Sequence, residues 1–224
     1  NKRLIYPVAG FVFLLFIFIF SERTEVRPEI FSFLLFSIFL SVLLREKYIG
    51  RSRLIWVLPA LELLWVNLHI YFFIGFLMIL FFAIDRFFNN STKERWDKKP
   101  LILAGLTGLA TLINPNGIAG ALYPLNVFKE YGYSVAENQS PFVLARLSPS
   151  LTIKLFKLSL FLAIGSFILV IKKFRNKLFE FMLAGFLIFA GAKMIRNFSI
   201  YALGMYPVMV LNIDYAINSF KVFN

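Results

Sequence analysis

Two sets of polar residues interrupt an otherwise apolar chain and suit chemistry on an anionic, hydroxyl-bearing ligand. The first set is cationic: Arg27, Arg146 and Arg196. A guanidinium grips a phosphate through paired N–H groups, so scattered arginines near one boundary are candidate phosphate holders. Arg27 stands before Pro28-Glu29. Proline and an acid both suit a helix start, whereas Arg27 opposes the helix dipole and calls for a partner such as Glu29 or a bound anion. Lys193 and Arg196 flank Met194-Ile195, with Asn197 behind; they fit an anion site or simple attraction to lipid head groups. The second set is Asn67 and His69 in Trp65-Val66-Asn67-Leu68-His69, squeezed between two apolar strips with almost no loop. Polar groups at such depth face a bundle interior or a wet cavity. They either close the hairpin or position a phosphate or hydroxyl, while Trp65 reads as an interfacial anchor.

Three groups qualify as proton acceptors for a hydroxyl: Glu29, Glu137 and His69. Glu137 shares a long connection with Glu130, Tyr131 and Tyr133, where rings can cover an apolar ligand face. Asn114 opens the turn Asn114-Pro115-Asn116-Gly117. Glu62 is the acid deep inside an apolar strip, at a cost of about 2.5–3.5 kcal/mol if charged at mid-membrane; it must be protonated, paired or facing water. A helix running from Glu62 through His69 would put both on one face, ~10.5 Å apart along the axis. The absence of Cys removes disulfides and thiol chemistry. A single His makes a catalytic zinc site a poor fit. Nothing in the sequence requires a cofactor, although a divalent metal would be compatible with phosphate chemistry.

The elements that position these residues are apolar strips. Of 224 residues, 59% are apolar and 29 are Phe, above the ~45–50% typical of soluble domains. The strips are Leu4–Phe20, Ile30–Leu44, Leu54–Val66, Ile70–Ile84, Leu101–Ile113 and Ile153–Ile171; a longer one, Leu178–Ile213, is expected to fold back near Lys193–Asn197. Crossing a hydrocarbon core of ~30 Å takes roughly 20 residues in a helix, and the strips lack the alternation of barrel strands. The expected fold is all-α: one transmembrane helical bundle over residues 1–224 of about eight spans, or seven if the last strip crosses once. Ile118–Phe128 is expected to lie in the interface within a long outer connection. Asn1–Arg3 before the first strip resembles a signal peptide, but Ser21-Glu22-Arg23 offers no small-residue cleavage site, so that strip reads as a retained span.

The net charge of +12 would suggest nucleic acid in a soluble protein. Here Lys and Arg fall on alternate connections at about two to one, which is orientation logic. Nucleic acid is therefore not an expected partner. Membrane lipid is, with the N-terminus cytoplasmic and the mixed polar residues on the outer face.

Several pieces together resemble a known group: Arg27-Pro28-Glu29-Ile30-Phe31-Ser32, Trp65-Val66-Asn67-Leu68-His69 with Gly75, Asn114-Pro115-Asn116-Gly117 with Tyr123-Pro124, Glu137-Asn138-Gln139-Ser140-Pro141, and Arg196-Asn197-Phe198. Their order and spacing resemble a large group of bacterial polytopic membrane proteins that is in turn similar to glycosyltransferases of the GT-C class. The resemblance runs from about Arg27 to Pro207. It implies sugar transfer from a polyprenyl-phosphate-linked donor on the outer face of the bacterial cytoplasmic membrane, with inversion at the anomeric carbon. It also implies that Arg27, Arg146 and Arg196 hold phosphate, and that Asn67, His69, Asn114, Glu137 and Asn197 orient donor or acceptor. In that class the base is usually a carboxylate in the first outer loop. Here the loop SERTEVRPE carries Glu22, Glu25 and Glu29 and no Asp, so the expectation is that the chain begins downstream of that loop and that the base lies upstream. Two other classes fit less of the sequence: a transporter or flippase for a lipid-linked or anionic solute, with Glu62 setting its pH dependence, and a non-catalytic membrane scaffold.

Overall fold

Long apolar strips leave their backbone groups satisfied away from water only when they coil into helices. The computed structural model of the chain is helical wherever it has regular structure. It describes residues 2–22, 27–50, 52–90, 98–126, 135–148 and 150–220. In chain order the helices are α1 (Lys2–Phe20), α2 (Glu29–Tyr48), α3 (Leu58–Leu68), α4 (Phe72–Asn90), α5 (Lys99–Thr111), α6 (Gly117–Leu122), α7 (Pro141–Leu147), α8 (Leu151–Val170), α9 (Leu178–Lys193) and α10 (Phe198–Phe220). Tighter 3-10 turns link several of them, and no strand occurs among the described residues. The fold class is all-α.

Every strip marked by composition is helical, although α4 runs on to Asn90 beyond the expected Ile84 and α10 to Phe220 beyond the expected Ile213. Leu54–Val66 forms as a 3-10 turn, Arg53–Val57, running into α3, with Pro59 at the helix start. Three stretches are long and apolar enough to cross a membrane: Phe72–Asn89, Leu151–Lys193 and Ile195–Ser219. The second has 43 residues, which as one straight helix would measure ~65 Å, about twice the hydrocarbon core. It bends at Lys173, where φ is −109° and ψ 19°. Past the bend, Phe181 of α9 packs on Phe167 of α8 with ring centroids 4.4 Å apart. A Cβ at Gly191 would lie 2.9 Å from Phe156 Cε2. Residues far apart in the stretch therefore face each other, and α8 and α9 form an antiparallel hairpin. Ile5–Phe20 and Lys99–Thr111 are apolar but shorter.

The chain divides into two compact units. One is Asn1–Glu25 with Gly132–Asn224, and the other is Val26–Tyr131. In the first, α1 lies antiparallel to α10, with Phe13 on Tyr206 and Phe16 on Tyr201. The Ser199 hydroxyl donates to the Phe20 carbonyl at 3.1 Å. Phe156 stacks on Phe198 at 4.4 Å, the Ser159 and Tyr201 hydroxyls meet at 2.7 Å, and Asn212 Nδ2 donates to Ser166 Oγ at 3.4 Å. The paired hydroxyls let polar atoms sit inside an apolar bundle, where an unmatched group is costly; Asn212 Oδ1 is buried there with no hydrogen-bond partner among the described residues. One end of this unit gathers Phe20, Gln139, Ser140 and Met194–Asn197; the other carries Lys172, Lys173, Arg175 and Lys177.

In the second unit α2 and α4 run one way, α3 and α5 the other. Lys47 pairs with Asp85 at 2.8 Å and Lys99 with Glu46 at 2.7 Å. The Ser52 amide donates to Glu46 Oε2 at 2.6 Å, and Arg86 donates to the Glu46 carbonyl at 2.8 Å. These contacts tie together the end at which α2 and α4 finish and α3 and α5 begin. The opposite end carries Asn67, His69 and the start of α2.

Candidate functional site

The polar end of the Val26–Tyr131 unit is organised around Ser32, one turn into α2. Trp65 Nε1 donates to Ser32 Oγ at 2.9 Å. The indole N–H takes one lone pair of Ser32 Oγ, and Ser32 Oγ lies 2.9 Å from His69 Nδ1, to which it donates because the Tyr71 amide marks that nitrogen as an acceptor. The Tyr71 amide also donates towards His69 Nδ1, at 3.4 Å. Two donors on Nδ1 put the proton of the neutral ring on Nε2, and the second contact fixes the ring plane. The Tyr71 ring meets the imidazole edge-on with centroids 4.7 Å apart. His69 is half-buried, at the end of α3 in an extended conformation.

This geometry corrects two expectations. Trp65 is 0% exposed, so it is a core residue holding Ser32 and not an interfacial anchor. The helix ends at Leu68, and His69 has φ −158° and ψ 147°. The helical spacing that aligned His69 with Glu62 therefore stops short of the histidine. Ser32 itself was quoted in a motif but given no role. The available signal was a hydroxyl inside an apolar strip, at the same boundary as a donor-only indole.

The remaining candidates in this unit have defined surroundings. Asn67 Nδ2 donates to the carbonyls of Leu63 (2.8 Å) and Ile113 (3.0 Å), tying α3 to the end of α5. Asn114 spends its amide on the turn that follows. Its Nδ2 donates to the Thr111 and Gly117 carbonyls at 2.9 Å, and its Oδ1 accepts from the Asn116 amide at 2.9 Å. Gly117, at φ +53°, supplies the left-handed conformation this turn needs. Glu29 is 6% exposed in the first turn of α2, and Arg27 is exposed beside it.

In the other unit, Arg196 Nη1 donates to Asn138 Oδ1 at 3.2 Å, and Glu137 is the half-buried neighbour of that asparagine. Gln139 accepts through its carbonyl from the Ile195 amide at 3.2 Å, while Ser140 Oγ donates to the Ala192 carbonyl at 2.8 Å. The segment carrying Glu137 is thus clamped against the turn carrying Arg196. Asn197 Nδ2 donates to the Ala190 carbonyl, closing the end of α9 at 2.9 Å. Arg146 is exposed in the last turn of α7. That helix was read as loop, although Ser140-Pro141 is a strong helix start: Ser140 Oγ accepts from the Phe142 amide. Glu130, Tyr131 and Tyr133 lie outside the described residues.

Chemically, the second unit offers an oriented imidazole with Nε2–H as donor, together with a buried carboxylate at a helix start. The first offers a guanidinium fixed by Asn138 near a carboxylate. Among the described residues no group of three His, Cys, Asp or Glu is arranged to hold a metal ion. Compared with protein-family models, with curated proteins and with solved structures, the chain matches none of them.

Proposed function

We propose that this chain works as, or within, a bacterial integral-membrane glycosyltransferase of GT-C type that moves a sugar from a polyprenyl-phosphate-linked donor. It would cross the cytoplasmic membrane about eight times, with its lysine-rich ends in the cytosol. The observation that carries this reading is the sorting of polar residues. Within each unit, taken separately, basic turns collect at one end of the helices, and the arginine, histidine, asparagine and glutamate candidates collect at the other. The motif resemblance supplies the reaction.

In that reaction an acceptor hydroxyl attacks the anomeric carbon as the bond to the phosphate oxygen breaks. The hydroxyl proton passes to a carboxylate and polyprenyl phosphate leaves. Arg27 in one unit, and Arg146 and Arg196 in the other, are each candidates for neutralising a phosphate. His69, whose Nδ1 is occupied as an acceptor, donates from Nε2 to an oxygen of donor or acceptor. Glu29 and Glu137 are the candidates here for taking the proton. The test is sugar transfer from lipid-linked donor in membranes carrying the full-length protein. Replacing His69 and Arg196 together with Ala is expected to lower transfer at least ~100-fold with membrane levels unchanged. Undiminished transfer would refute the assignment.

A further inference from the structure

Glu62 sits at the centre of the Val26–Tyr131 unit, 0% exposed, and no hydrogen bond reaches either carboxyl oxygen. The polar group that bears on it is the Phe76 backbone amide, already within α4. The space it occupies exists because residue 75 is glycine. A Cβ there would lie 2.5 Å from Glu62 Oε2, 2.8 Å from Trp65 Cζ3 and 3.1 Å from Phe39 Cε1.

The elements packed against α3 bring no compensating charge to this level among the described residues. α2 carries Glu29 at one end and Arg45, Glu46 and Lys47 at the other. The Asp85 and Arg86 of α4, the Lys99 of α5 and the Arg53 before α3 all belong to the Glu46 end. His69, beyond the far end of α3, has its Nδ1 bonded to Ser32. A hard divalent cation takes six or more oxygens, and among the described residues no group of three His, Cys, Asp or Glu could hold one. An ionised carboxylate has no partner here, and burying one unpaired is prohibitive.

We propose that Glu62 is a proton-binding site inside the membrane, a carboxylic acid seated in the notch at Gly75, and that its seating holds Trp65 and, through Trp65, the Ser32–His69 pair. The contacts are contiguous. Glu62 and Trp65 both abut Gly75, and Trp65 donates to the serine that donates to His69. Loss of the proton drives the carboxylate out of the notch towards water, freeing the space on which the indole rests. The bearing on His69 as a reacting group rests on the sugar-transfer reading; the proton site does not.

Two measurements on the purified full chain test this, and neither reads sugar transfer, so failure of that activity leaves their outcome intact. Infrared spectra at pH 7 should show a carboxylic-acid carbonyl band that disappears in Glu62→Gln. Identical spectra overturn the proton site. With Trp56 and Trp96 replaced by Phe, Trp65 emission should shift in Gly75→Ala, because the added methyl displaces both carboxyl and ring. Unchanged emission overturns the contact chain. If Gly75→Ala does not fold, the same emission is read in Glu62→Ala, which empties the notch beside the indole, and unchanged emission there overturns the contact chain.

Discussion

Two buried acids of the same unit are treated in opposite ways. Glu46, 6% exposed, is surrounded: Lys99 at 2.7 Å, the Ser52 amide at 2.6 Å, and Arg86 on its own carbonyl. Glu62, 0% exposed, has aromatic neighbours and a glycine notch. The first is a clamp across three elements, made of charges that offset one another's desolvation. The second has no charge to offset, so its space was made by deleting a side chain instead of adding a cation. Provision of counter-charge thus separates an acid that holds the fold together from one that has to carry a proton.

The sharpest way to break this comparison is to remove both carboxyls in turn. Glu46→Ala strands the Lys99 ammonium and the Ser52 amide, and is expected to cost about 3 kcal/mol, read by reversible unfolding in mixed detergent. Next, Ser32→Ala leaves the buried Trp65 indole N–H without its acceptor and should cost about 1–2 kcal/mol. In the same variant, nitrogen chemical shifts of His69 should show Nε2–H losing its dominance over Nδ1–H. Asn67→Ala removes two bonds to carbonyls from an exposed side chain and should cost about 1 kcal/mol. The smallest effect is expected from Glu62→Gln, within about 0.5 kcal/mol of the parent, because an amide replaces a neutral acid of the same shape. If Glu62→Gln destabilised as much as Glu46→Ala, the two acids would be equivalent clamps and the contrast would vanish.

Helix positions were legible because apolar length and flanking charge are local properties. The turn near Lys193–Asn197 appears where expected, with Met194 extended and a 3-10 turn at Ile195–Asn197. What connects the helices was not legible, since it depends on which side of each helix meets which neighbour. Nothing local to Ser32 announces Trp65 thirty-three positions on. Nothing local to Glu46, Lys99 and Asp85 announces the pairs that packing makes of them. Asn67 and Asn114 looked like candidates for binding a ligand, and the structure shows the hydrogen bonds that occupy their amides. The unforeseen α7 was the opposite case, a local Ser-Pro signal outweighed by the surrounding length of apparent loop.

The bond between Ser199 and the Phe20 carbonyl joins residues 179 positions apart. At ordinary translation speeds that is about 10–40 s of synthesis. During this interval α1 and then α8, which also packs on it, are made before α10 arrives. The contacts of α1 with α10 wait that long, while the helices of the Val26–Tyr131 unit can pair as they appear. Ribosome stalling or a premature stop before α10 therefore leaves Phe13 and Phe16 of α1 without the tyrosine rings that cover them.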